Sequence, residues 1–123
     1  MLRVSLTASV LAIALAGATV APAWAGYGAI AYDQLNGHSG AAWNQSTPAK
    51  ANELALKKCA TEHCRVHPVE PAGCGALARS TTDRAWGGAD RMTLTAAERD
   101  AVQHCQRHTS TGTCEVTLQG CNK

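Results

Sequence analysis

The chain has 123 residues, of which 46% are hydrophobic and 16% charged, with six Cys, three Trp, two Tyr and no Phe. That length admits one domain and excludes a multidomain enzyme. Eleven Lys and Arg against nine Asp and Glu, a formal +2, exclude the strongly basic stripe of a nucleic-acid binder. The apolar content excludes a disordered chain. None of these numbers names an activity.

Residues 1–25, MLRVSLTASVLAIALAGATVAPAWA, carry Arg3 ahead of an uncharged apolar run and close on Ala23-Trp24-Ala25. Small residues flanking a tolerant position suit signal peptidase, so a leader cleaved after Ala25 is expected, releasing residues 26–123 to the periplasm or the exterior. The competing reading is an uncleaved membrane anchor, because Val4 to Ala25 holds no charge. Pro22 and the terminal Ala-x-Ala favour cleavage, with no lasting anchor. The first cysteine is Cys59, so an amino-terminal lipid is excluded.

After the leader, residues 27–32 and 38–43 read as strands around a turn containing Asn36-Gly37, a strong hairpin signal. Thr47-Pro48 opens a helix, since Thr47 caps free amides and Pro48 suits the first helical position. The helix runs to Cys59, with Ala51, Ala55 and Cys59 on one face and Lys57 and Lys58 in the last turn against the dipole. A strand follows over 63–69. The plan then repeats: strands over 74–79 and 84–88, a helix over 94–107 and a strand over 113–118. Either Thr93 or Thr95, the latter through Thr95-x-x-Glu98, can cap the second helix. Its apolar stripe is Leu94, Ala97, Ala101 and Cys105. Two Ala-rich stripes predict helices lying close to their sheets. The fold class is α+β, a single domain of two ββαβ repeats with pseudo-twofold character.

Six cysteines in a small exported chain point to disulfides rather than metal. No CxxC knuckle occurs, and only Cys59-x4-Cys64 approaches zinc spacing. Of the fifteen possible pairings, the repeat selects a symmetric set. Gly28-Ala29-Ile30-Ala31 recurs as Gly75-Ala76-Leu77-Ala78, Ala55–Cys59 is echoed by Ala101–Cys105, and Cys64-Arg65-Val66 matches Cys114-Glu115-Val116. The pairs are then Cys59–Cys64, Cys105–Cys114 and Cys74–Cys121, the last joining the two halves. Loop closure assigns them about 2, 3 and 4 kcal/mol respectively.

Tyr27-Gly28-Ala29-Ile30-Ala31-Tyr32, Trp43 ahead of the capped helix, Lys58-Cys59, Cys64-Arg65-Val66, Gly73-Cys74-Gly75-Ala76-Leu77-Ala78 and the closing Cys121-Asn122 together resemble a bacterial family, domain of unknown function 4189. The resemblance spans Gly26 to Asn122. It implies an exported protein of a kind found in mycobacteria and proteobacteria, and it implies no catalytic residues. Two departures stand out: family members often lack the pair equivalent to Cys105 and Cys114, and often carry Trp before the closing Cys, where this chain has Leu118-Gln119-Gly120.

The histidines are the main chemical leads. His104 and His108 share a face of a continuing helix and are candidate ligands for a divalent ion, or else imidazoles placed favourably at a helix C-terminus. His63, Arg65 and His67 alternate along a strand, as an anion-binding face or a solvated one. Trp43 and Trp86 are core mass or, if exposed, anchors for a protein partner. Gly87 and Gly88 mark a bulge or a close backbone approach. There is no G-x-S-x-G elbow and no phosphate loop, and oxidised cysteines are not nucleophiles. Asp83 and Asp90 are carboxylates that the fold can bring together.

These observations describe a non-enzymatic, monomeric module without a cofactor, binding or inhibiting a protein in the envelope or outside the cell. Two alternatives remain: a small metal-dependent or hydrolytic enzyme, and a structural or stress protein of the envelope with no dedicated ligand.

Overall fold

The computed structural model describes residues 26–123; the expected leader lies outside the described residues. The order is β1 (Tyr27–Tyr32), β2 (Ser39–Gln45), α1 (Pro48–Cys59), β3 (Arg65–Val69), β4 (Cys74–Ser80), β5 (Trp86–Arg91), α2 (Leu94–Gln106) and β6 (Cys114–Cys121). The predicted ββαβ plan is thus present twice. Each unit forms its own antiparallel sheet, β2-β1-β3 and β5-β4-β6.

Alternation along the central strands explains the layering. Ala29 and Ala31 of β1 turn to α1 and join Ala51, Ala55 and Cys59, whereas Ile30 and Tyr32 turn the other way. In β4, Cys74, Ala76 and Ala78 turn to α2 and Leu77 turns away. The outward-turned sets meet, so the order of layers is helix, sheet, sheet, helix, with β1 facing β4 and β2 facing β6.

Small residues set how closely each helix lies on its sheet. A Cβ on Gly40 would sit 2.5 Å from the Cys59 amide nitrogen and 2.6 Å from the Ala55 carbonyl oxygen. At Gly87 a Cβ would sit 2.5 Å from the Ala101 carbonyl oxygen. The two glycines do the same job in the two units, and Gly87 is the close approach foreseen in the sequence. The β4–β5 register runs without a bulge there.

Caps follow the same symmetry. Thr47 Oγ1 accepts from the Lys50 amide at 3.1 Å, and Thr93 Oγ1 from the Ala96 amide at 3.2 Å. Thr93, not Thr95, is therefore the second cap. At the hairpin corners, Asp33 accepts from the amides of Leu35 and Asn36, and Ser80 accepts from those of Thr82 and Asp83. Thr61 then donates to Asp33, and Thr109 to Asp83 at 2.6 Å, tying each corner to the loop that follows its helix.

The disulfides are Cys59–Cys64, Cys74–Cys121 and Cys105–Cys114. One expectation changes: Cys74–Cys121 does not join the halves. Cys74 and Cys121 are register partners in β4 and β6 of one sheet, because the second unit begins at Cys74 and closes on Cys121. The halves are held instead by Trp43, Arg79 and Asn122. The Trp43 indole lies over Gly28, Gly75 and Gly120; a Cβ on Gly28 or Gly120 would collide with it, and one on Gly75 would meet it tightly at 3.3 Å. Asn122 Oδ1 accepts from the Asn44 amide at 3.0 Å, while its Nδ2 donates to the Val69 and Glu70 carbonyls. Arg79 donates to the Gly37 carbonyl at 3.1 Å and lies over the Tyr32 ring. Gly37 has φ +74, the left-handed geometry that suits the turn signal at Asn36-Gly37.

Candidate functional site: a groove around Trp86

The two sheets are closed by Trp43 and Asn122 where β2 meets β6. On the opposite side β3 and β5 are edge strands, and between them a cleft of about 240 Å³ opens toward the inter-sheet core. Its floor is Ile30, Val69, Ala76 and Leu77, and its mouth carries His67, Trp86 and His104. Trp86 is partly buried; its ring centroid lies 5.2 Å from Tyr32, 5.5 Å from His67 and 6.4 Å from His104.

Two further depressions adjoin this cleft, and Trp86 borders both. One, of about 400 Å³, is lined by Leu35, Glu62, His63 and Arg65 as well as His67. The other, of about 560 Å³, is lined by Gln34, Asp83, Arg84, His104 and His108. Residues of both units therefore form one groove with the indole as its ridge. Leu35, 55% exposed, is a large apolar side chain left in solvent on its wall.

The strand alternation explains part of this placement. Arg65, His67 and Val69 share the face of β3 that continues toward the inter-sheet core, and only Val69 is buried. His63 precedes the strand, which begins at Arg65 rather than at 63; it reaches the groove from a turn and lies 3.6 Å from Glu62. Likewise α2 ends at Gln106, so His108 is not on a continuing helix. The following turn still brings its ring within 5.1 Å of His104. His104 Nδ1 lies 3.3 Å from the Gly88 carbonyl, which favours a proton on that nitrogen. Among the described residues, no group of three or more His, Cys, Asp or Glu is arranged to hold a metal ion.

Asp83 and Asp90 are not a pair: Asp83 lines the depression beside Arg84, and Asp90 lines the apolar cleft. Trp43 and Trp86 also part company. Trp43 packs between the sheets, whereas Trp86 serves both the core and the groove. Sequence reasoning missed Asp33. It is fully buried, and its oxygens accept from Leu35, Asn36 and Thr61. The Thr61 hydroxyl and then the Asn36 and Leu35 donors hold its carboxyl far below the usual range, outweighing burial. An acid at a strand end, two and three residues before the amides it accepts from, was the available signal for the turn but not for its burial.

The His67 pKa is pushed below the ordinary 6.5 by partial desolvation at the mouth of the cleft and by the charge of His104. The unfolded chain thus binds this proton more readily than the folded one. The stability contribution is full above pH 6.5 and declines as pH falls below it.

Three disulfides in a small domain are compatible with export. Among the described residues, no helix is long and apolar enough to cross a membrane.

Comparison with known proteins follows the same outline. The NMR structure of Rv1813c from Mycobacterium tuberculosis is similar with a TM-score of 0.61 and 34% identity, over 99% of this chain and 96% of that one. In sequence, the protein called Uncharacterized protein Rv1813c of Mycobacterium tuberculosis is 42% identical over 80 residues, which are 65% of this chain and 53% of the relative. Protein Rv1269c of the same organism is 43% identical over 76 residues, 62% of this chain and 58% of the relative. The chain thus spans about half the length of the curated relatives it matches. A model of one family, Domain of unknown function (DUF4189), matches residues 27–121, and the chain belongs to that family.

Proposed function

We propose that this protein is a non-enzymatic binding module, working in the bacterial envelope or outside the cell, whose contact site for a protein partner is the groove around Trp86. The observation that carries this reading is the position of Trp86, a partly exposed indole between an apolar cleft and two polar depressions. A large aromatic anchor beside a pocket, ringed by polar groups, is the arrangement in which few residues supply most of the binding energy. Leu35 extends the apolar surface, and Arg65 and Arg84 stand at the rim. An inhibitor or an immunity protein would use such a surface.

Hydrolysis is the second reading, favoured by His67, His104 and Asp90 lining one cleft. Against it, the Asp90 Oδ2 accepts from the Glu70 amide and His104 Nδ1 faces the Gly88 carbonyl. Neither contact aligns an imidazole with a carboxylate, as acid–base work requires.

A photo-crosslinking residue placed at Leu35, inside the groove, tests the proposal against one placed at Met92, which is 72% exposed and outside it. The Leu35 probe is expected to give a discrete protein adduct in the host's exported fraction, lost on Trp86→Ala. Equal labelling from Met92, or an adduct indifferent to Trp86, contradicts the proposal.

A further inference from the structure

Resting on that reading of the groove, we propose that its ligand is an acidic, extended peptide segment of a partner protein. One apolar side chain of the segment enters the cleft beside Trp86, and its carboxylates meet Arg65, Arg84 and the imidazoles of His67, His104 and His108.

The charge pattern points to an acidic ligand because the groove's two arginines have no acidic partner among the described residues, whereas its aspartates, still charged, accept from donors within the chain. Asp33 accepts from Leu35, Asn36 and Thr61, Asp83 from Ala85 and Thr109, and Asp90 from the Glu70 amide. Glu62 lies beside His63. Arg65 and Arg84 are exposed and, among the described residues, form no ion pair. They stand in the two depressions on either side of Trp86. A ligand that spans the indole therefore meets an uncommitted guanidinium at each end, a group suited to bidentate carboxylate recognition.

The histidines make this recognition depend on protons. The groove lining holds two arginines, four carboxylates and four histidines. Protonating the histidines reverses its formal charge from negative to positive. His67 faces Arg65 on its own strand, Trp86 and Asp90 on β5 and His104 on α2; His104 faces His108 and, from the β4–β5 loop, Asp83 and Arg84. Clustered imidazoles repel one another when charged, and a bound carboxylate relieves that repulsion. Acid pH thus favours binding, and binding favours protonation.

An extended segment fits better than a helix. The cleft lies between two edge strands, β3 and β5, so an extended segment can lie along it, although Pro68 of β3 offers no N–H and the Gly88 carbonyl of β5 already faces His104. Alternation along that segment sends every second side chain to the apolar floor.

Short fluorescein-labelled peptides alternating Leu with Glu, Gln or Lys test this by anisotropy on the disulfide-bonded protein. At about pH 5.5 the Glu–Leu peptide is expected to bind about tenfold or more tighter than Gln–Leu, with the gap narrowing by about pH 7.5. The double variant Arg65→Gln/Arg84→Gln, at two exposed positions and so compatible with folding, is expected to erase the preference for Glu. The double variant His67→Gln/His104→Gln is expected to weaken its pH dependence, and adding His108→Gln to weaken it further. If Gln–Leu binds as tightly as Glu–Leu, with both needing Trp86, the acidic ligand is wrong and the groove stands. If no peptide binds while the Leu35 adduct persists, the outcome is the same. Loss of both the peptides and the adduct removes inference and groove together.

Discussion

Replacing Cys74 and Cys121 together by alanine is expected to destabilise the oxidised protein by about 4 kcal/mol, against about 2 for Cys59 with Cys64 and about 3 for Cys105 with Cys114. The ranking follows from the loops these bonds close, with sequence separations of 47, 5 and 9 residues. A longer closed loop removes more freedom from the unfolded chain. Cys74 and Cys121 are also register partners on β4 and β6, so the bond holds the two ends of the second unit side by side. A domain of this size has a total stability of about 5–15 kcal/mol. Losing the long loop therefore removes a large share of that stability, and removing all three bonds, together about 9 kcal/mol, is expected to unfold the protein at ambient temperature. Denaturant unfolding of the three double variants measures the order. A Cys59/Cys64 variant that loses as much as Cys74/Cys121 would contradict the loop-length account.

Gly40→Ala and Gly87→Ala are expected to cost about 1–3 kcal/mol each, the usual range for overpacking. The added methyl group meets the α1 backbone at 2.5 to 2.6 Å in one unit and the α2 backbone at 2.5 Å in the other. Those atoms belong to helix backbone, so the whole helix must retreat. Retreat loosens the fully buried stripes of Ala51, Ala55 and Cys59 or of Ala97, Ala101 and Cys105. Gly88→Ala is the control on the same strand as Gly87: its nearest neighbour is a Trp86 ring carbon at 3.6 Å, so it is expected to stay within about 0.5 kcal/mol. Thermal melts of the three single variants compare them directly. A Gly88→Ala loss equal to the other two would show that the close helix approach is not what these glycines serve.

The fold was legible because the signals are local and occur twice. Thr47-Pro48, the Ala stripes and the matched Gly-Ala-x-Ala segments each act over a few residues, and the repeat turned six cysteines into three pairs. Strand ends were less legible. β6 continues from Cys114 to Cys121, three residues past the expected end at 118, because its last residues are fixed by pairing with Cys74 and Gly75 rather than by their own propensity. The groove was legible only in fragments. His63, Arg65, His67, Trp86, His104 and His108 were each singled out, but as separate groups on separate elements. Their meeting depends on how one sheet is stacked on the other, a contact set by Ile30, Tyr32, Leu77 and Trp43, and no periodicity within either unit reports it. Asp33 went unnoticed because an acid ending a strand reads as a solvated turn residue. Here Thr61, far along the chain, makes its burial tolerable.

On the proposed function, the opening between β3 and β5 is where this protein receives a ligand. Screening the isotopically labelled, disulfide-bonded protein by NMR against a library of small soluble organic fragments tests it while the natural ligand is still unidentified. Fragments that bind are expected to shift the Trp86 indole signal and the amides of His67, Val69 and Leu77, leaving the Trp43 indole unmoved. Fragments that gather instead on the β6 surface at Val116 to Gln119, where a shallower depression lies, or that find no site at all, would contradict it.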